Sequence, residues 1–481
     1  MPQSIPSIPP HALADQQAAL EAQSPTTAAP AFPVPNPTVS FWQKNIDVSP
    51  KPAHGSEGPL TTDADVCIIG SGISGVSAAY HLAKIFAQDG SQKPIKAVIL
   101  EARDFCSGAT GRNGGHLSAV AHEDFVEKQH LHGTEEALRE ANIQLHAVDE
   151  IVKIVKDAGK DADLDLVPGG HLSLFFTDEE YTAAKADYTA AEAAGLDLRS
   201  VEWLSKEDVQ ARYGAPFPAM WVKGNNIWPL KTVALLYTLA QKMTPAFTLD
   251  LHTRTPVTAV TPGDSTRRWT VETPRGKVSC SYVLHATNAY VSYLLPHLQG
   301  PDGVIPTRGQ VIATRASAPA DAVTKAAWAG NGGFEYWFPR PVEAHETAPL
   351  VILGGAREAA HPKYEIYEVD DSKLNPAVSR ALRNFLPSVF PGMYEPGREP
   401  EVEWSGIMGL TRSGDPFVGP VVDPADKERY KGQYLSVGFS GNGMVRAFPC
   451  AEAIAGMIAS DITGNPWNAP EWLPLHYLTR K

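Results

Sequence analysis

The sequence predicts a mixed α/β chain in which a parallel sheet of βαβ type is interleaved with a second, β-rich unit. Three observations carry this prediction. Residues 65–69, DVCII, form a short continuous apolar run, as a central parallel strand does when both its faces are covered. GSGISG follows at 70–75, and behind it Val76, Ala79, Tyr80, Ala83 and Phe86 recur at helical spacing. After the polar connection QDGSQKPIK, a second apolar run at 97–100 ends in Glu101. Strand, glycine turn, helix and strand make one βαβ unit.

The remaining elements follow in chain order. Residues 1–60, with prolines at 2, 6, 9, 10, 30, 33, 35 and 37, hold too few large apolar side chains to offset the entropy of ordering, and are expected to be mobile or draped over the surface. Ser40-Phe41-Trp42 is the exception, since two adjacent aromatics can pin the arm to the body. Residues 126–160 read as helices rich in Glu, Lys and Ala, 171–176 as a strand, and 230–243 as a helix. Three short strands are expected around 247–260, 268–272 and 277–285, joined by the turn-forming sets Pro262-Gly263-Asp264 and Pro274-Arg275-Gly276. Residues 301–400 alternate and are broken by Pro and Gly, and 434–459 return to strand, glycine loop and helix. No internal repeat is found.

Composition excludes several classes of function. A chain of 481 residues, 43% apolar and 20% charged, has the profile of a globular protein able to bury a large core. Its net charge of −13 offers no basic field for nucleic acid. Four cysteines, at 67, 106, 280 and 450, show no CxxC pair and no Cys/His cluster at zinc-ligand spacing, so no metal is expected. The start lacks a basic and apolar leader, no run of about 18 apolar residues occurs, and YLTRK is not a peroxisomal ending. The expectation is a soluble, cytoplasmic protein with no membrane span.

The glycines of 70–75 acquire meaning from their place between a buried strand and a helix. Gly70 permits the tight turn, Gly72 lets a pyrophosphate approach the backbone, and Gly75 lets the helix lie on the strand, with the N–H groups of Ile73 and Ser74 aimed at phosphate. Glu101 stands where a carboxylate accepts hydrogen bonds from ribose hydroxyls. NAD and FAD both satisfy this pattern. Past Glu101-Ala102-Arg103 the chain does not enter another βα unit but runs into GATGRNGGH, residues 108–116, whose bare amides suit phosphate oxygens and the carbonyl edge of a flat ring.

GSGISG, LEAR and GATGRNGGH in this order resemble the D-amino acid oxidase and sarcosine oxidase superfamily of FAD-dependent oxidoreductases. The likeness extends from about 40 to 465 and is nearest to the branch of γ-glutamylputrescine oxidases, through Ser40-Phe41-Trp42 and His285-Ala286-Thr287-Asn288-Ala289-Tyr290. It implies a Rossmann-type FAD-binding domain (61–125, 222–300, 401–465) interleaved with a β-sheet-based substrate domain (126–221, 301–400), a Pro-rich arm (1–60) and a C-terminal tail (466–481). It also implies that FAD is held by Ala102, Arg103, Ala109, Thr110, Arg112, Asn113, Gly114, Gly115 and His116. The adenine would meet the Val257 backbone, and Thr287 and Asn288 would lie by the phosphates. Gly409 and a second loop of Gly438, Gly441, Asn442, Gly443 and Met444 would flank the ring. The helix behind that loop would turn its positive end to the flavin's pyrimidine carbonyl.

Two departures from the family stand out. Thr411-Arg412-Ser413-Gly414-Asp415-Pro416 has Ser where the family pattern has an acid, and 350–355, LVILGG, lacks the Lys that sarcosine oxidases place near the flavin. The electron acceptor is therefore oxygen or another molecule. The reaction implied is oxidation of a C–N bond in a small amine or amino acid by hydride transfer to flavin N5, with hydrolysis of the imine. A nicotinamide-dependent flavin monooxygenase and a flavin-binding pseudoenzyme are the alternatives. Candidate catalytic residues are His116, whose unperturbed pKa lies near neutrality, and Arg308, Gln310, Tyr336 and Arg357, an Arg being suited to clamp a carboxylate. Cys106 either links covalently to flavin or is a buried, unreactive thiol.

Overall fold

The computed structural model describes residue 18 and residues 32–479 other than 45, 89–93, 344–345, 424 and 427. Most of the expected arm before residue 32 and the middle of QDGSQKPIK lie outside the described residues. In the first sheet, Asp63–Ile69 runs parallel between Gly276–His285 and Ile95–Leu100, with Gln433–Val437 and Phe247–His252 beyond them. Val66 and Ile68 face the helices Ile73–Gln88, Pro229–Lys242 and Gly443–Thr463, while Cys67 and Ile69 face the strands that hang off Gly276–His285. Both faces are covered, which is why residues 65–69 are continuously apolar.

The strand expected over 247–260 ends at His252, and Ala259–Pro262 pairs instead with Trp269–Thr273 in an antiparallel extension. Pro256 interrupts the run, because it has no N–H for a ladder. The helical stretch 126–160 is two helices, Phe125–His132 and Thr134–Asp157, parted at Gly133 with φ 88°.

The second sheet has the strand order Val402–Leu410, Ile305–Arg315, Leu350–Gly354, Glu335–Pro339, Ala327–Gly330, His171–Leu174, Ala219–Val222 and Glu202–Leu204. Val402–Leu410 runs antiparallel along Ile305–Arg315 over its whole length, so the chain passes from this sheet back to the first only after residue 410. One face is covered by Pro376–Val389, a helix hidden within the broken 301–400 stretch. Its Val378, Leu382, Phe385, Leu386 and Val389 pack on Trp328 and Trp337. The other face turns toward the glycine loop through Tyr336 and Phe338. A two-stranded ladder, His116–Leu117 with Asn225–Asn226, anchors the end of that loop.

Burial also fixes charge. It pushes the imidazoles of His81, His116, His122 and His285 down to about 4 and that of His171 to about 3, so all five are neutral in the folded chain at neutral pH. Unfolding frees them to take protons below their ordinary 6.5, so the unfolded chain binds more protons through that window and stability rises with pH across it. The thermal midpoint is expected to fall steadily as pH drops from about 7 to about 5. A midpoint that is flat across this range, followed by calorimetry, would contradict the assignment.

Candidate active site

The first glycine turn is built around Glu101. Its Oε2 accepts from the Ser71 amide at 2.9 Å and the Ser71 hydroxyl at 2.8 Å, and its Oε1 accepts from the Arg103 amide at 2.9 Å. The carboxylate is thereby fixed at the carboxyl end of its strand with lone pairs left for a diol. Gly70 donates its amide to Leu100 O at 2.9 Å, and a Cβ on Gly75 would strike the Gly70 carbonyl, so the helix reaches the strand only with glycine there. Thr110 Oγ1 accepts the Ile73 amide at 3.1 Å. The Ile73 amide, expected to face a phosphate, is therefore already partnered. Ser74 is buried within that first turn.

In the GATGRNGGH loop, three consecutive carbonyls each receive a side-chain donor. Ser40 Oγ donates to Gly111 O at 2.5 Å, Trp404 Nε1 to Arg112 O at 2.7 Å, and Trp42 Nε1 to Asn113 O at 2.6 Å. The Asn113 and Gly114 amides have no acceptor among the described residues. The Arg112 side chain is spent on the scaffold: Nε donates to Ser107 O at 2.7 Å, and Nη1 to Ser405 O at 2.8 Å and Thr38 Oγ1 at 3.1 Å. Asp371, fully buried, takes Arg103 Nη1 on both oxygens at 3.0 Å and lies 3.7 Å from Arg112 Nε. Burial draws the Arg112 guanidinium down to about 10 against the pull of Asp371, so it stays charged at neutral pH.

The second loop is tied to the same edge. Asn288 Oδ1 accepts the Gly438 amide at 2.8 Å, and Ser440 donates its amide to Gly409 O at 2.9 Å. Gly441 and Asn442 are exposed, and Gly443 and the buried Met444 open the helix Gly443–Thr463. Thr287 Oγ1 and Tyr290 Oη are buried with no hydrogen-bond partner among the described residues. Val257 is buried beside Ile69 and Leu100, and Ala102 and Ala109 are half-buried.

The five catalytic candidates divide. Tyr336 lies over Gly354, where a Cβ would strike its ring, and its Cε2 would stand 2.5 Å from a Cβ on Gly114. His116 meets Tyr336 and Phe338 edge-on at 5.6 Å each. Its Nε2 lies 3.3 Å from Trp328 O. It is a neutral ring held by backbone carbonyls rather than a group titrating near neutrality. Arg357 is partly buried beside Tyr336, with Nη1 unpaired and the guanidinium 5.4 Å from the Phe334 ring. Arg308 instead pairs with Glu365 at 2.5 Å and donates to Asp370 O at 2.8 Å. Gln310 bonds Ser379, Glu403 and the Asn375 amide. Cys106 is fully buried, and burial raises its thiol far above the ordinary range, which favours the inert thiol.

The family model for FAD dependent oxidoreductase matches residues 65–457, and the chain belongs to that family. It is similar to gamma-glutamylputrescine oxidoreductase of Escherichia coli (strain K12), at 27% identity over 230 residues covering 47% of this chain and 49% of that one. The chain thus matches about half the length of this relative. A probable oxidoreductase, OrdL, of Rhizobium meliloti (strain 1021) is 22% identical over 403 residues, 82% of this chain and 83% of that one. Glycine oxidase from Geobacillus kaustophilus shares the fold, with a TM-score of 0.64 at 19% identity over 85% of this chain and 96% of that one. No helix among the described residues is long and apolar enough to cross a membrane.

The cofactor of the family is FAD, and the residues present fit it. The anchored Glu101 carboxylate suits a ribose diol, the unpaired Asn113 and Gly114 amides and the orphaned Thr287 hydroxyl suit anionic or carbonyl oxygens, and the half-covered Gly70 and Gly72 leave backbone open to a phosphate. Asp371 and Trp404 were not legible as site residues. Asp371 sits in an ordinary acidic stretch, EVDD, and Trp404 acts only through a pairing of strands distant in sequence. Trp42→Phe keeps an aromatic ring but removes the indole N–H, leaving the Asn113 carbonyl without its donor, a loss of about 1–3 kcal/mol. The loop turns to recover a partner, so the FAD dissociation constant should rise roughly tenfold or more by flavin fluorescence. An unchanged constant would contradict the clamp.

Proposed function

We propose that this chain oxidises the C–N bond of a small amine that bears a carboxylate, an amino acid or N-substituted amino acid, and passes the electrons to oxygen or another acceptor. The observation that carries this reading is Arg357. Its guanidinium is partly buried, its Nη1 has no partner among the described residues, and it stands beside Tyr336 at the end of the glycine loop. A charged donor fork withdrawn from water without a full set of acceptors is costly unless a ligand supplies them, and a carboxylate matches it through two parallel hydrogen bonds. Arg308 does not offer this, because Glu365 already holds it.

Bound FAD supplies two-electron acceptance from the substrate carbon. Arg357 would fix the carboxylate, and Tyr336, Phe338 and Phe334 would wall the pocket and exclude water. His116, uncharged above about pH 4, adds no positive charge to this wall, so Arg357 is the cation that would meet the carboxylate. Tyr336, whose phenol is raised by burial, stays protonated and can donate a hydrogen bond to substrate. Resemblance to gamma-glutamylputrescine oxidoreductase supports an amine as the reacting group.

Anaerobic mixing with a panel of amines and amino acids reads the reaction directly as bleaching of the flavin absorbance. Arg357→Gln is expected to raise KM for carboxylate-bearing substrates about 100-fold, the scale of a lost charge-assisted pair. Amines without a carboxylate should be nearly unaffected. Equal losses on both classes would sink the assignment.

A further inference from the structure

Neighbouring residues of a strand face opposite sides of a sheet. Tyr336 turns toward the glycine loop, so Glu335, at the start of the strand Glu335–Pro339, points away from it and is only 1% exposed. Its carboxyl nonetheless reaches two turns that border the candidate site. Oε2 accepts Asn331 Nδ2 at 2.5 Å, in the hairpin between Ala327–Gly330 and Glu335–Pro339 that carries Phe334. Oε1 accepts the Ala356 amide at 3.2 Å, in the turn that leads into Arg357.

The second of these turns is strained and needs holding. Ala356 sits at φ 57°, a left-handed conformation that is costly for a residue with a side chain. Gly355 before it runs so close to the hairpin that a Cβ there would lie 2.1 Å from Phe334 O. The Arg357 guanidinium then rests 5.4 Å from the Phe334 ring. The two turns are thus in contact, and the Glu335 carboxyl bonds both. Glu358 completes the group. Its carboxyl meets that of Glu335, and its Oε2 is buried with no donor among the described residues. Two buried carboxyls in contact do not both ionise, and one shared proton satisfies the contact and the orphaned oxygen together. Burial first, and then the Glu358 charge, hold Glu335 well above the ordinary carboxylate range, so the pair keeps that proton at neutral pH and carries one negative charge. Arg357 feels that charge together with Tyr336 and Glu365, the last already held by Arg308.

We infer that Glu335 is a positioning residue for the carboxylate clamp, tying the turn that carries Arg357 to the hairpin that carries Phe334. This rests on the reading of Arg357 as the group that fixes a substrate carboxylate. What Glu335 supplies is reach rather than charge. Glu335→Gln keeps the length and the acceptor for the Ala356 amide, and its amide N–H stands in for the shared proton. Glu335→Asp keeps the charge but draws the carboxyl back by one methylene, out of reach of Ala356. A guanidinium displaced by about 1 Å loses the parallel pair of hydrogen bonds to a carboxylate. A simple counter-ion to Arg357 would give the opposite order, with Asp the better replacement.

The test titrates the full chain with FAD bound with benzoate, a carboxylate that has no C–N bond to oxidise and whose ring suits the aromatic wall, and follows the flavin absorbance. The wild type is expected to bind with a dissociation constant of about 1 mM or tighter. Arg357→Gln and Glu335→Asp should each weaken benzoate at least about tenfold, while Glu335→Gln stays within about threefold of the wild type. Adding Glu335→Asp to Arg357→Gln should cost nothing further, because the effect of Glu335 passes through Arg357. No binding to the wild type up to about 50 mM, or binding that Arg357→Gln leaves unchanged, fails the carboxylate reading and this inference with it. If Arg357→Gln weakens benzoate but Glu335→Asp binds as the wild type does, or Glu335→Gln is no better than Glu335→Asp, or the two losses add, the positioning role alone is overturned.

Discussion

The rest of the site depends on how the carbonyls of Gly111, Arg112 and Asn113 are held. A glycine-rich loop has few side chains with which to fix its own orientation, and here the donors to its carbonyls come from outside: a serine, the indole of Trp404 and the indole of Trp42. Satisfying the carbonyl side aims the amides of Asn113 and Gly114 the other way, where nothing in the described chain accepts them. Two of the three donors come from the N-terminal segment and one from the second sheet. Loop, arm and sheet thus act as one unit, with the buried Arg103–Asp371–Arg112 group beneath it. Removing one member of such a group strands a charge in the interior, so these parts stand or fall together.

On this frame the two sheets take different tasks. The parallel sheet presents Glu101, the Gly70–Gly75 turn and Thr287, the groups that suit a dinucleotide. The second sheet brings Tyr336 and Phe338 to the other side of the loop, with Arg357 just past the end of Leu350–Gly354. Gly354 matters here because the Tyr336 ring occupies the space a side chain would need. Arg308 and Gln310, on the adjoining strand, serve the sheet and the helix Pro376–Val389 instead.

The βαβ unit, the position of Glu101 at the end of its strand and the glycine loop opening the helix Gly443–Thr463 were legible as structure because their signal is local: spacing, burial pattern and glycine positions lie within a few residues of one another. The roles of Trp42 and Trp404 were not, since Ser40-Phe41-Trp42 shows an arm that docks but not that its indole reaches a carbonyl 71 positions away. The helix Pro376–Val389 was obscured by the prolines and glycines around it, although Val378, Leu382, Phe385, Leu386 and Val389 have helical spacing. Among the catalytic candidates, residue type alone could not separate Arg357 from Arg308. The difference lies in two partners of Arg308, Glu365 and the Asp370 carbonyl, 57 and 62 positions downstream. The bond between Glu335 and the Ala356 amide, 21 positions apart, is invisible in sequence for the same reason.

The central claim is that the amide side of the loop is kept open for FAD by donors on its carbonyl side. Hydrogen–deuterium exchange of the peptide covering 111–116, in the stripped chain and after FAD is restored, tests it most directly. The account predicts that exchange at Asn113 and Gly114 slows at least about tenfold with FAD, as acceptors arrive for unpaired donors. The same exchange in both states would show that the loop does not hold the cofactor.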